Sequence, residues 1–239
     1  MKKLLTVLGM LLVSPAWAEV TVTGEGKATA TPDTVFVTVG VETTAKTAHD
    51  ALAANNGAMT KLFQTLEKFG IKKEHIQTSG LSVQPQYDYK KEYEGGYKLI
   101  GYSVNNTVTV CSYDLDKVGE LLDAVVRDGA NRLSGIRFAL KDTQKVMDEA
   151  RTLAMKDAMR RAQLYADVGG FKLGSILTVS ESQRIIQPRT LYAAAAPSAR
   201  AESAAVPVSA GELSFSFTVN VVYDIAGSEM SKRKPRRKK

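Results

Sequence analysis

Apolar residues at every second position mark the most regular strands of this chain. Val35, Val37, Val39 and Val41 alternate with polar or small residues, which is the pattern of a strand that buries one face. The same alternation recurs at residues 215–223. A further strand is predicted before the turn at residues 31–33. Four more are predicted at residues 76–84, 100–113, 136–140 and 173–179.

A repeat of three to four residues between apolar positions predicts three helices, at residues 45–69, 114–129 and 142–170. Asp142 can cap the longest of them, and two glycines end it. Its predicted buried face has alanines four residues apart, with larger apolar residues beside them: Ala150, Ala154, Ala158, Ala162, Val146, Leu153, Leu164 and Tyr165. Such a row of alanines lets a helix lie close to a sheet.

Strands that are apolar along one row need a helical cover on that row. We therefore predict an α+β fold in which a mixed or antiparallel sheet has the three helices packed on one face. Between the last two strands, residues 186–210 have little periodicity and predict a long mobile loop. The alternative is a short helix at residues 191–196 that packs on a neighbour. One α+β domain is then expected over residues 19–226.

The first 18 residues have the pattern of a cleavable secretory signal peptide. Lys2 and Lys3 precede an apolar run, and Ala16 and Ala18 supply the small residues of a cleavage site. The apolar run is too short to span a bilayer comfortably. We expect a mature chain without a transmembrane segment, located in the periplasm.

The charge of the chain is concentrated at its end. The formal net charge is +7, and seven positive residues lie within the last eight: Lys232, Arg233, Lys234, Arg236, Arg237, Lys238 and Lys239. Without this tail and the two lysines of the leader, the body carries about −2, so no specific nucleic-acid binding is expected. Residues 227–239 are predicted to be a disordered tail that contacts anionic envelope surfaces or merely increases solubility.

Catalytic motifs are missing from the sequence. The chain has two histidines and one cysteine, a number that supports no zinc or iron spacing. Gly24 and Gly26 begin a glycine motif whose third glycine is absent, and Cys111 has no cationic neighbour in the local sequence. We predict no catalytic, cofactor-binding or metal-binding residues and a non-catalytic Cys111.

Five of the nine tyrosines fall between residues 87 and 102, around two glycines in the connection of a predicted hairpin. Tyrosine supplies amphipathic contact area at a small entropy cost, so this segment suits contact with another subunit. The predicted contact residues are Tyr87, Tyr89, Tyr93 and Tyr97. The alternative is an extended hairpin whose rings pack on its own strands.

Several short phrases follow one another along the chain: VTGEGKATATPD at residues 22–33, IQTSGLSVQPQYDY at 76–89, DLDKVGELLD at 114–123, GANRLSGIRF at 129–138, and the alanine-spaced helix that ends in GGFKLG. Their order and spacing resemble the SIMPL-domain family of bacterial envelope proteins, which includes periplasmic immunogenic and oxidative-stress-defence proteins. This resemblance implies an α+β fold and a secreted or periplasmic location, and it brings no established catalytic residues.

Three functions remain in competition at this stage. The first is a non-enzymatic envelope protein that self-associates, as a homo-oligomer, and contributes to oxidative-stress tolerance. The second is an enzyme or small-ligand binder that uses an unrecognised carboxylate or tyrosine site. The third is an interaction module held on anionic surfaces by its basic tail.

Overall fold

The computed structural model describes residues 18–93, 96–186 and 206–226, without the side chains of residues 90–93 and 183–186. The predicted signal peptide, the basic tail and most of the predicted loop therefore lie outside the described residues. Within them, no helix is long and apolar enough to cross a membrane.

The described residues form seven strands and three helices. The strands are β1 Glu19–Ala30, β2 Thr34–Ala45, β3 Ile76–Tyr93, β4 Gly96–Ser112, β5 Arg132–Ala139, β6 Leu173–Ile186 and β7 Leu213–Ile225. The helices are α1 Ala48–Lys68, α2 Val118–Arg127 and α3 Gln144–Gly169, with a short 3₁₀ turn at Lys73–His75. All the predicted elements are present, and the α+β class is confirmed.

The strands form two antiparallel sheets, where the sequence predicted one. One compact unit contains α3 and a three-stranded sheet in the order β1-β7-β6; the other contains α1, α2 and a four-stranded sheet in the order β3-β4-β2-β5. Alternation shows that a strand has a buried face, but it does not identify the neighbouring strands. The alternation therefore does not predict the number of sheets.

The core of the four-stranded unit lies between its sheet and helices α1 and α2. The predicted valine row of β2 is fully buried there, against Leu62 and Leu66 of α1 and Leu122 of α2. Asn55, with no exposed surface, donates its side-chain N–H groups to the carbonyl oxygens of Val41 at 2.9 Å and Val104 at 3.4 Å. This polar contact fixes α1 to two strands and explains why the helix continues through its Asn-Asn-Gly segment.

In the three-stranded unit, α3 crosses β1 at very short range. Ala150, Ala154, Ala158 and Ala162 are fully buried, as predicted. Gly24 and Gly26 of β1 face this alanine ridge so closely that a Cβ atom on either glycine would overlap the α3 backbone. The G-x-G of β1 is thus a packing feature, in which backbone meets backbone.

Of the larger residues predicted to be buried beside the ridge, Val146 is buried and the other three are not. Leu153 is 40% exposed, Leu164 50% and Tyr165 53%. Because alanine and glycine bring α3 so close to β1, the contact is narrow, and residues to either side of the ridge project past it.

Asp157 is the main polar contact between α3 and β1. Its carboxylate accepts the Glu25 backbone N–H at 3.1 Å and pairs with Arg160 at 2.7 Å and Arg161 at 2.8 Å. The Arg160 contact, followed by the Glu25 N–H, lowers the pKa of Asp157 below its ordinary value. The carboxylate therefore stabilises the folded state when it is ionised.

Ala154→Leu should reduce the free energy of unfolding by about 1–3 kcal/mol, because the extra atoms overpack the interface with β1. Urea denaturation measures this loss. Met159→Leu, at a half-exposed position on the same helix, is the matched control and should change stability little. An unchanged stability of Ala154→Leu would show that the ridge is not buried.

Asp157→Asn should lower the free energy of unfolding by about 1 kcal/mol at pH 7, because a charge-assisted contact is lost. The folded-state pKa is lowered, so this stabilisation is present above the unfolded-state pKa and disappears as pH falls through the folded-state value. Denaturation curves between pH 7 and about pH 3 should therefore converge for the two proteins. Glu149→Gln, which removes an exposed carboxylate from α3, serves as the control. A stability difference between wild type and Asp157→Asn that did not change with pH would contradict the stabilising role of the Asp157 carboxylate.

Candidate interaction surface

The end of the β3–β4 hairpin is a two-stranded ribbon. The pairing of β2 with β4 stops at Ala45 opposite Tyr102, whereas β3 and β4 stay paired as far as Tyr93 opposite Gly96. The sequence predicted that the strands end at residue 84 and resume at residue 100. The segment between is strand because its tyrosines suit a pleated surface, and only the tip at residues 94–95 is not described.

Three tyrosines form a ring cluster on this ribbon. Tyr87 and Tyr89 have ring centroids 6.3 Å apart, and Tyr89 and Tyr97 have centroids 4.8 Å apart. The rings nevertheless stay open to solvent, with 37% of Tyr87, 69% of Tyr89 and 57% of Tyr97 exposed. The rings therefore pack on their own hairpin and still present contact area outward. The Tyr93 side chain is outside the described part.

Further apolar side chains of the same hairpin are also exposed, two of them at its base, where β4 still pairs with β2. Leu99 lies directly opposite Tyr87 in the ladder, so both point to one face of the ribbon. Leu81, Val83, Leu99 and Ile100 are all exposed. Sequence reasoning missed these four, since apolar residues in a strand are usually assigned to a core. We call Leu81, Val83, Tyr87, Tyr89, Tyr97, Leu99 and Ile100 together the ribbon surface.

The ribbon surface borders an open strand edge. β3 is the terminal strand of its four-stranded sheet, and only β4 pairs with it among the strands of the described residues. An outer edge of this kind presents backbone N–H and C=O groups that a further strand can pair with. The edge and the exposed rings together have the features of an association site.

A polar network holds the base of the hairpin in place. Glu42 of β2 accepts the Ser103 hydroxyl of β4 at 2.8 Å and pairs with Arg132 of β5. The Ser103 hydrogen bond, followed by the Arg132 contacts, lowers the pKa of Glu42. Asn131 also exchanges two hydrogen bonds with the Glu42 backbone, at 2.7 and 2.8 Å. The ribbon therefore projects from an anchored base.

The titratable residues singled out in the sequence lie elsewhere. His49 is exposed on α1, while His75 and Cys111 are partly buried near the other end of β4. Asp142 caps α3, accepting the Gln144 N–H at 2.8 Å. Across residues 18–93, 96–186 and 206–226, no three His, Cys, Asp or Glu side chains are grouped so as to hold a metal ion.

The sequence model of the SIMPL family, described as a protein of unknown function (DUF541), matches residues 20–223. The chain belongs to the SIMPL family. It is 36% identical over 218 residues to a "26 kDa periplasmic immunogenic protein" of Brucella melitensis, a match that covers 87% of this chain and 85% of the relative.

Two further relatives carry the name "Uncharacterized protein YggE". The one from Edwardsiella ictaluri is 30% identical over 214 residues, covering 89% of each chain. The one from Escherichia coli K12 is 27% identical over 211 residues, covering 88% of this chain and 85% of the relative. The printed names of these relatives assign no enzymatic activity.

Proposed function

We propose that this SIMPL protein is a non-enzymatic periplasmic protein that self-associates through the ribbon surface and contributes to oxidative-stress tolerance. The observation that supports self-association is the ring cluster of Tyr87, Tyr89 and Tyr97, exposed on a ribbon with an open edge. The periplasmic location is supported by the leader pattern of residues 1–18 and by the name of the Brucella relative.

An isolated two-stranded ribbon is marginally stable in water. The ribbon described here has the paired rings and the Glu42 anchor to hold it, but no third strand beside Tyr87 or Leu99. Covering the exposed rings with a partner removes apolar area from water, at roughly 25 cal/mol per Å². Association therefore stabilises the part of the unit that its own sheet leaves uncovered.

The partner that fits this surface is a second copy of the chain. An antiparallel strand edge can pair with an identical edge about a two-fold axis, so the same residues serve both sides of the contact. Tyrosines are suited to such an interface because their rings are amphipathic and have few rotatable bonds. The contribution to stress tolerance rests on the family resemblance.

The double variant Tyr89→Ser/Tyr97→Ser should weaken self-association at least tenfold, because the centre of the ring cluster is removed. Sedimentation velocity over a range of protein concentrations measures the association constant. Tyr165→Ser, which removes a similarly exposed tyrosine from α3, should leave association unchanged.

A thermal melt of each variant shows whether the hairpin remains folded. A wild-type protein that is strictly monomeric at all concentrations would contradict self-association. In cells, a deletion strain complemented with the double variant should tolerate peroxide less well than one complemented with wild type. Equal peroxide tolerance of the two strains would show that stress protection does not depend on assembly.

A second candidate function is contact with anionic surfaces through the basic tail, favoured by seven basic residues among positions 232–239. Each Lys or Arg near an anionic membrane contributes about 1 kcal/mol at low salt. Deleting residues 231–239 should leave assembly intact and abolish salt-sensitive binding to anionic vesicles. Equal vesicle binding by the truncated and full chains at low salt would rule out this role for the tail.

A further inference from the structure

A groove of about 510 Å³ lies in the four-stranded unit, away from the ribbon surface. The 3₁₀ turn before β3, the end of β4 and the segment that follows β5 meet there. Phe69 and Ile71 supply apolar walls, and Cys111, Tyr113 and Lys141 line it as well. Neither the sequence motifs nor the family resemblance points to this place. The groove is brought together by strand pairing.

Tyr113 is the central aromatic side chain of this groove. The ring of His75 meets it edge to face at 5.2 Å, and the Lys141 ammonium lies 5.1 Å from its centroid. Tyr113 remains 47% exposed, so its ring has room for a further flat partner. Electrostatic repulsion from Cys111 is the first cause that raises the pKa of Tyr113, and the protonated phenol can donate a hydrogen bond.

Only some of the charged side chains that line the groove have an ion-pair partner within 4.0 Å. Asp114 is paired with Lys117 at 2.8 Å, and Glu74 with Lys72 at 3.7 Å. In the described parts of the chain, the Lys141 ammonium has no carboxylate within 4.0 Å. The groove therefore has an ammonium group without a direct ion-pair partner beside a half-exposed aromatic ring.

Asp33 is the remaining carboxylate near Lys141. It accepts the Lys141 backbone N–H at 2.7 Å and the Thr34 hydroxyl at 2.8 Å, so its bonds go to the backbone and to a neighbour, not to the ammonium. The backbone N–H of Lys141 is the first cause that lowers the pKa of Asp33. Lys141 is thus positioned through its own main chain. Its ammonium forms no ion pair with Asp33 within 4.0 Å and contributes only the last of the causes that lower the pKa of that carboxyl group.

We propose that this groove binds a small aromatic carboxylate, with the carboxylate on the Lys141 ammonium and the ring beside Tyr113. A charge-assisted hydrogen bond fixes the anionic end, and stacking together with the Phe69 and Ile71 walls holds the flat body. The site needs neither metal nor covalent chemistry. It adds a ligand-binding role to the proposed assembly role, and no residue of the ribbon surface lines it.

Isothermal titration calorimetry of the full chain with 2-naphthoate tests this site, with the uncharged 2-naphthamide as the ligand control. Binding of 2-naphthoate should be about tenfold tighter than that of 2-naphthamide, and Lys141→Gln should remove that advantage. Lys61→Gln, an exposed lysine of α1 outside the groove, should bind as wild type does. Thermal melts confirm that both variants fold.

Cys111, the one cysteine of the chain, reports occupancy directly because it lines the groove. Saturating 2-naphthoate should slow alkylation of Cys111 by iodoacetamide severalfold in wild type, as measured by mass spectrometry of the intact protein. Absence of binding, equal affinity for the acid and the amide, an unaffected Lys141→Gln variant, or binding without protection of Cys111 would each overturn the proposal.

Discussion

In both units of this protein, one apolar face of a sheet is removed from water by helices. The contact is made in two different ways. In the four-stranded unit, Leu62, Leu66 and Leu122 fill the space above the valine row of β2. In the three-stranded unit, glycine and alanine bring α3 directly onto the backbone of β1. Small residues make that second interface close and narrow, so overpacking it is costly.

The ribbon surface is the place where this cover is missing. β4 extends beyond the end of β2, and β3 forms the edge of the sheet, so the tyrosine rings contact one another and lie open to solvent. A chain that buries valines to a few per cent exposure elsewhere leaves these rings more than a third exposed. This contrast within one unit is the physical basis for proposing that a second copy covers them.

The groove around Tyr113 shows a different consequence of strand pairing. Ile76 lies opposite Val110, and Phe36 lies opposite Cys111, so the register brings the start of β3 and the end of β4 together. Lys141 follows β5 and joins them from a third segment of the chain. A cluster with a thiol, a phenol, an imidazole and an ammonium thus arises among residues that carry no motif.

The sequence by itself determined the local elements and the face that each buries. The valines of β2 and the alanines of α3 are buried as predicted because period two and the four-residue repeat follow from backbone geometry alone. Tertiary structure decided the division into two sheets, the exposure of Leu153 and Tyr165, the role of Gly24 and Gly26, and the surroundings of Cys111. These features depend on which distant segments of the chain become neighbours. Tertiary packing determines those neighbours, and a local repeat in the sequence carries no information about them.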